Sequence, residues 1–189
     1  MRKVEFEVYK FEELSEKVQK TLIDKNRYIE IEDTCWNEFI LDDATETLEL
    51  LGFSGIKIRF SGFSSQGDGA SFIGEWKFPV EFADDSYSPI IDQPLEFQEL
   101  AKILRQAKDD EFKIVLGHNS NLYCHERTVE FQFENDNDLA DKIRAACRAV
   151  MQEIYRALEK EYDCYTSDEF VKESLIALED EYFINGRRA

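Results

Sequence analysis

The chain has 189 residues, of which 43% are hydrophobic, and this length and composition predict one folded domain over residues 1–189 and exclude a disordered chain. Its 41 acidic and 23 basic side chains leave a net charge of −18, which disfavours direct nucleic-acid binding and favours basic partners. No apolar run of about 18 residues predicts a membrane span, and the N-terminus lacks the apolar region of a signal peptide. The four cysteines are scattered without a C-x-x-C pair, as is typical of free thiols, so we expect a cytoplasmic protein without membrane association.

The first part of the chain predicts a strand followed by two helices. Charged and apolar residues alternate over residues 4–8, which is the pattern of a strand with one wet face. Helical spacing begins at Phe11, and a second helix is predicted to start at a Thr34 cap and to run through about Leu51, where Gly52 ends it. The predicted buried stripe of this second helix comprises Trp36, Phe39, Ile40, Ala44, Thr47, Leu48 and Leu51.

The middle of the chain predicts two hairpins with a helix between them. Apolar residues alternate with charged ones over residues 56–60, and the pattern resumes after a glycine-rich loop at residues 70–76. An exposed connection with three prolines and a helix from Leu95 to Leu104 follow. The second hairpin is predicted from "EFKIVLGH" and "NLYCHERTVEFQFE", with its turn at residues 119–121.

The end of the chain gives the clearest helical pattern. Apolar residues recur every three or four positions from Leu139 to Tyr162, which predicts one long helix, and the T-x-x-E box beginning at Thr166 predicts the start of a last helix. Hairpins build antiparallel sheets, and amphipathic helices must bury one face. We therefore predict an α+β fold, a two-layer sandwich of an antiparallel sheet built from hairpins with amphipathic helices packed on it.

The glycine-rich loop "SGFSSQGDGASF" has two interpretations. Asp-Gly is a strong turn signal, and the glycines suit a turn between two strands. Alternatively, the loop could bind a small polar ligand through backbone N–H groups and short polar side chains. The spacing matches neither a Walker loop, nor a dinucleotide fingerprint, nor an EF-hand. The candidate ligand-binding residues are Ser64, Ser65, Gln66, Gly67, Asp68, Gly69, Ser71 and His125.

The two histidines, His118 and His125, fall on the second predicted hairpin. Cys124 adjoins His125, but neighbours on a strand point to opposite faces and no fourth ligand has a recognisable spacing, so no metal and no cofactor are predicted. His125 with Glu126 could act in acid–base chemistry, whereas the simpler interpretation is a hydrogen-bonded histidine of the sheet. No catalytic residue is assigned.

The segment from Gln152 to Phe183 contains ten acidic and three basic residues. Such a segment is usually the solvated side of amphipathic helices, and it could also serve as an acidic surface for a basic partner. Tyrosines among the carboxylates favour an interface, since aromatic residues are enriched at binding hot spots. The candidate partner-binding residues are Glu159, Glu161, Tyr162, Asp163 and Tyr165.

Three segments together resemble a family of small accessory proteins carried by tailed bacteriophages and prophages. They are "FSGFSSQGDGASFIGEW" (60–76), "YCHERTVEF" (123–131) and "IYRALEKEYDCYTSDEFVKESLIALEDEYFINGRR" (154–188), and the loop motif FSGFxSQGDGASF is the most specific of them. The likeness extends with gaps from near Leu50 to the end of the chain. The resemblance implies a biological setting, namely that of a phage protein in the cytoplasm of the host bacterium. It does not imply a particular reaction.

Two functions remain open from the sequence. The resemblance, the charge and the missing catalytic signature favour a non-enzymatic phage protein that binds and modulates a host or defence protein through its acidic surface, with nucleic-acid mimicry as one form of that binding. The partner would carry a basic surface. The alternative is a small-molecule-binding or hydrolytic protein whose pocket lies at the glycine-rich loop and His125.

Overall fold

A computed structural model describes residues 5–33, 35–83, 90, 92–108, 111–117 and 124–189. Their helices are α1 (Glu16–Lys25), α2 (Ile29–Asp33), α3 (Glu38–Leu50), α4 (Leu95–Leu104), α5 (Asp138–Tyr165) and α6 (Asp168–Ala177), and their strands are β1 (Phe53–Phe60), β2 (Ala70–Trp76), β3 (Phe112–Leu116) and β4 (Val129–Phe133). Short 3-10 helices cover Phe11–Glu13, Val80–Ala83 and Glu126–Thr128.

The chain divides into two compact units. We call Asn37–Glu159 the sheet unit, and Met1–Trp36 with Lys160–Ala189 the terminal unit.

The sheet unit contains one four-stranded antiparallel sheet in the order β1-β2-β3-β4. β1 pairs with β2 so that Phe60 lies opposite Ala70, and β3 pairs with β4 over their full lengths. The antiparallel pairing of both predicted hairpins is therefore confirmed, although the turn expected at residues 119–121 lies outside the described residues. The last predicted strand was wrong over residues 124–128, because β4 begins at Val129 and His125 caps the 3-10 helix Glu126–Thr128. The register of β1 shifts between Ser54 and Lys57, where Gly55 has a φ of +64°. This β-bulge bends one edge strand of the sheet.

Helices cover one face of this sheet. Trp76 on β2 is buried, and its indole N–H donates to the carbonyl oxygen of Leu51 at the end of α3 over 2.8 Å. The guanidinium of Arg144 on α5 lies 4.8 Å from the ring centre of Phe133 on β4. The opposite face carries exposed charged side chains such as Lys113. The structure confirms the predicted α+β fold with an antiparallel sheet made from hairpins.

The second helix differs from its prediction at its start and on one side. It begins at Glu38, and the predicted cap, Thr34, lies outside the described residues. Most of the predicted stripe is buried, namely Ala44, Thr47, Leu48 and Leu51. Phe39 is 82% exposed, however, so its predicted burial was wrong. It lies on the side of α3 away from the sheet, one helical turn before the exposed residue Asp43.

The terminal unit contains α1, α2, α6, the end of α5 and a small core of its own. The core residues are Phe11, Leu14, Leu22, Ile23, Val171, Leu175 and Tyr182. The predicted first strand was wrong over residues 5–8, and Val4 lies outside the described residues. Only Tyr9 pairs, through an isolated antiparallel bridge in which Tyr9 and Tyr182 exchange backbone hydrogen bonds of 2.8 and 2.9 Å. An alternating pattern forms a strand only where a neighbouring backbone pairs with it.

The last helix begins one residue later than its capping box predicted. Ser167 is the N-cap, and its hydroxyl oxygen accepts from the backbone N–H of Phe170 over 3.2 Å. The Thr166 hydroxyl instead donates to the carbonyl oxygen of Tyr162 over 2.8 Å.

All four cysteines lie in the described residues, and none forms a disulfide. Across the described ranges, the structure contains no helix with both the length and the apolar character needed to cross a bilayer.

Candidate functional site

The glycine-rich loop between β1 and β2 is organised around Asp68. One carboxylate oxygen, Oδ2, accepts from the backbone N–H groups of Ser65 and Ser64 over 2.6 and 2.9 Å. The backbone N–H of Asp68 donates to the carbonyl oxygen of Ser65 over 3.0 Å. The two hydrogen bonds to the carboxylate hold the pKa of Asp68 below its ordinary value. Asp68 therefore uses its side chain to close the loop.

The loop is also attached to α5. The hydroxyl of Tyr155 donates to the carbonyl oxygen of Gly62 over 3.0 Å, and its ring stacks on Phe63 at 5.4 Å between ring centres. Burial, with the nearby carboxylates of Glu159 and Asp68, raises the pKa of Tyr155. This attachment did not follow from the sequence, where the aromatic residue Phe63 in an otherwise polar loop is the signal that could have indicated it.

The structure brings the loop and His125 together. A Cβ atom added to Gly69 would lie 3.0 Å from His125 Cα and 3.3 Å from His125 Cδ2, so glycine permits this close approach. His125 Nδ1 lies 2.7 Å from Glu126 Oε2 and 3.2 Å from the backbone nitrogen of Arg127. Glu126 is buried, and its Oε1 accepts from the side-chain amide of Gln152 over 2.9 Å. His118 lies outside the described residues.

The groups around His125 do not form an activated nucleophile. Ser71 on β2 is buried, and its hydroxyl oxygen makes no hydrogen bond within the described residues. Burial raises the pKa of the Cys124 thiol, against the opposing charge of Arg59, and so disfavours the reactive thiolate. In the part of the chain that the structure describes, no group of three or more acidic, histidine or cysteine side chains is placed to hold a metal ion. The polar groups near the loop mainly satisfy one another.

The tip of the loop faces solvent. Ser64, Ser65 and Gln66 are exposed, and Gly67 is half-buried. The predicted ligand-binding residues therefore divide into two groups, an exposed tip and a packed base formed by Gly69, Ser71 and His125. Two grooves of the sheet unit are lined by other residues, including Lys57 and Phe133.

The candidate partner-binding residues of α5 do not form one surface. The helical period places Glu159 and Asp163 together and Glu161 on the opposite side, with Tyr162 and Tyr165 between them. The tyrosines are also engaged within the terminal unit. The Tyr162 ring lies 6.5 Å from the Tyr28 ring and 5.9 Å from the Trp36 ring, and the Tyr165 ring lies 4.6 Å from the Phe170 ring.

A more uniform acidic surface lies on α3. This helix contains five acidic residues and no basic one, Glu38, Asp42, Asp43, Glu46 and Glu49. Within the described residues none of these carboxylates forms an ion pair, and the side-chain amide of Gln93 lies 3.4 Å from Asp43 Oδ1. By contrast, Glu96 and Glu153 both pair with Arg156 at 2.6 and 2.7 Å.

Two exposed apolar side chains flank these carboxylates. Phe39 near the start of α3 and Leu50 at its end are both exposed, and the helical period places them on one side with Asp43 and Glu46. We call this side, Phe39, Asp42, Asp43, Glu46 and Leu50, the α3 face. The sequence contained the signal for it, since the acidic residues of this helix are unaccompanied by lysine or arginine.

The described residues therefore form an α+β fold with two candidate binding surfaces, the glycine-rich loop with His125 and the α3 face. Residues 36–168 match a family described as a domain of unknown function (DUF8835), and the chain belongs to that family. The matched region contains α3, the whole sheet, the glycine-rich loop and His125. No curated protein and no solved structure matches the chain.

Proposed function

We propose that this chain is a non-enzymatic accessory protein of a phage or prophage that binds and modulates a host or defence protein in the bacterial cytoplasm. Binding takes place through an acidic surface, and the partner presents a basic one. The observation that carries this proposal is the α3 face, where carboxylates that have no ion-pair partner among the described residues lie beside exposed apolar side chains.

The physics of the α3 face suits a protein partner. Carboxylates that no basic side chain neutralises keep the local potential negative, which steers a basic surface toward them. Phe39 adds an apolar anchor of the kind that dominates binding energy at interfaces. A row of negative charges along a helix also suits a protein that normally binds a phosphate backbone, so nucleic-acid mimicry is the form of binding that we favour.

The alternative is a small-molecule-binding or hydrolytic protein with its pocket at the glycine-rich loop. The contact of Gly69 with His125 and the pairing of His125 with the buried Glu126 support it. Against it, the Asp68 carboxylate already accepts two backbone hydrogen bonds within the loop. We therefore place it second.

A pair of matched charge reversals tests the proposal. Asp42→Lys with Glu46→Lys changes two exposed carboxylates one turn apart on α3, and Glu159→Lys with Asp163→Lys makes the same charge change on α5. The wild-type chain and both double variants are used to capture partners from bacterial lysate at low and high salt. Mass spectrometry identifies the retained proteins, and their affinities are then measured with purified components.

We expect a basic protein whose binding weakens with salt and is lost in the α3 variant but kept in the α5 variant. Loss of binding in the α5 variant alone would indicate that the interface lies at the end of α5. Binding that survives both reversals, or that does not depend on salt, would contradict an acidic interface. Retention of a small molecule by the wild-type chain and by both variants, with no basic protein bound, would favour the second candidate.

A further inference from the structure

The terminal unit contains a groove that the acidic-surface function does not use. It lies between α1 and the turn at residues 183–188, and its volume is about 570 Å³. Ligand pockets in proteins commonly measure about 300–1,000 Å³, so the groove could hold a molecule the size of a nucleotide. Val18, Leu22 and Tyr182 supply its apolar lining.

The groove has an ordered framework. Gly186 has a φ of +82°, and a Cβ atom there would lie 2.8 Å from Val18 Cγ1, so the turn approaches α1 closely. Gly186 N–H donates to the carbonyl oxygen of Phe183 over 2.8 Å, and Phe183 N–H donates to the carbonyl oxygen of Arg187 over 2.8 Å. Tyr182 is fixed from the other direction by its bridge with Tyr9. The walls are therefore held by backbone hydrogen bonds.

The charges at this groove contrast with the rest of the chain. Lys25, Arg187 and Arg188 line it, and no acidic residue does. Arg188 forms an ion pair with Asp180, whereas Lys25 and Arg187 have no acidic partner within the described residues. Two cationic side chains that no described carboxylate neutralises thus line one groove of a chain with a net charge of −18.

The end of α1 offsets part of this positive charge. α1 ends at Lys25, and its last carbonyl groups carry the negative end of the helix dipole. The backbone N–H and the side-chain amide of Asn26 both donate to the carbonyl oxygen of Leu22, over 3.0 and 2.7 Å. Lys25 lies next to these carbonyl groups, where a cation is stabilised.

We propose that this groove binds a small organic phosphate of about nucleotide size. Lys25 and Arg187 hold the phosphate oxygens by charge-assisted hydrogen bonds, and the apolar part of the ligand packs on Val18 and Leu22. The acidic exterior of the chain repels long phosphate polymers. A small phosphate compound carries far fewer negative charges than a polymer, so the acidic exterior repels it less.

The test uses the full chain and three probes, ADP, inorganic pyrophosphate and adenosine, each titrated by calorimetry at low salt. The variants are Lys25→Gln and Arg187→Gln, and the matched control is Lys20→Gln, an exposed lysine of α1 that does not line the groove. Circular dichroism establishes that each variant is folded. Each variant loses one positive charge, so a difference in ADP affinity between variants reflects where the residue lies and not the change in net charge.

We expect saturable binding of ADP, weaker binding of pyrophosphate and none of adenosine. Each groove variant should weaken ADP binding about tenfold or more, and the control should change it less than about twofold. Absence of saturable ADP binding would overturn the proposal. Pyrophosphate binding as tight as that of ADP would overturn the organic part of the assignment. Equal weakening by the control and the groove variants would show that the net charge, and not the groove, attracts the phosphate.

Discussion

Replacing Gly69 with alanine tests whether the glycine-rich loop is packed against His125. The added Cβ atom would lie 3.0 Å from His125 Cα, a backbone atom that cannot rotate away. Forcing a methyl group into such a contact costs about 1–3 kcal/mol. The same change in open space stabilises a protein by about 0.4–1 kcal/mol, because the unfolded chain loses freedom. The cost of the close contact exceeds the gain from restricting the unfolded chain. We therefore expect the free energy of unfolding to fall by about 1–2 kcal/mol.

Gly62→Ala provides the matched control in the same loop. Its added Cβ atom would meet Asp68 Oδ2 at 3.4 Å, an ordinary van der Waals contact, so its stability should be unchanged or slightly raised. Both variants are unfolded in urea, and unfolding is followed by tryptophan fluorescence. Their free energies of unfolding are compared when the free energy depends on urea concentration with the same slope in each variant. If Gly69→Ala proves as stable as Gly62→Ala, the loop does not pack on His125 as described, and our account of the site is refuted.

Three further predictions concern α5 and the loop. Tyr155→Phe removes the hydrogen bond to Gly62 and should lower the free energy of unfolding by about 0.5–1.5 kcal/mol; an unchanged urea midpoint would contradict this contact. Leu158→Ala empties a fully buried position and should cost about 2–5 kcal/mol, whereas the exposed change Lys160→Ala should stay within about 0.5 kcal/mol in the same assay. Asp68 has a pKa lowered below its ordinary 3.8, so its ionised form stabilises the loop above that pH, and the stability is lost as the pH falls through the folded-state pKa. The stability gap between wild type and Asp68→Asn should therefore close on acidification, and a gap that widens would be inconsistent with this carboxylate.

The regular elements were predictable because their patterns are local. The apolar spacing from Leu139 to Tyr162 continues without glycine or proline, and α5 spans it in one piece. The alternation over residues 56–60 likewise predicted β1 and its hairpin. The Asp-Gly signal predicted a turn in this loop but misplaced it, because the N–H of Asp68 closes the turn on the carbonyl oxygen of Ser65 and neither Gly67 nor Gly69 has a positive φ. What holds the loop is the acceptance of two backbone hydrogen bonds by the Asp68 carboxylate.

The remaining features depend on contacts between residues far apart in sequence. The alternating N-terminus had the pattern of a strand, but only Tyr9 found a backbone partner, at Tyr182. Phe39 is exposed because the helical period places it with Asp43, away from the buried Ala44, so its assignment to the buried stripe misread the helical spacing. The packing of Gly69 on His125 depends on tertiary contacts in the same way, and no local pattern encodes it.

The β-bulge in β1 has a consequence for how the protein behaves when it is abundant. β1 lies at the margin of the sheet, where an uninterrupted strand would offer a template to another molecule. The shifted register between Ser54 and Lys57 interrupts the even series of donors and acceptors, and the charges of Lys57 and Arg59 oppose close approach of a second identical strand. Two copies of the chain are therefore disfavoured from pairing through β1, even at high concentration.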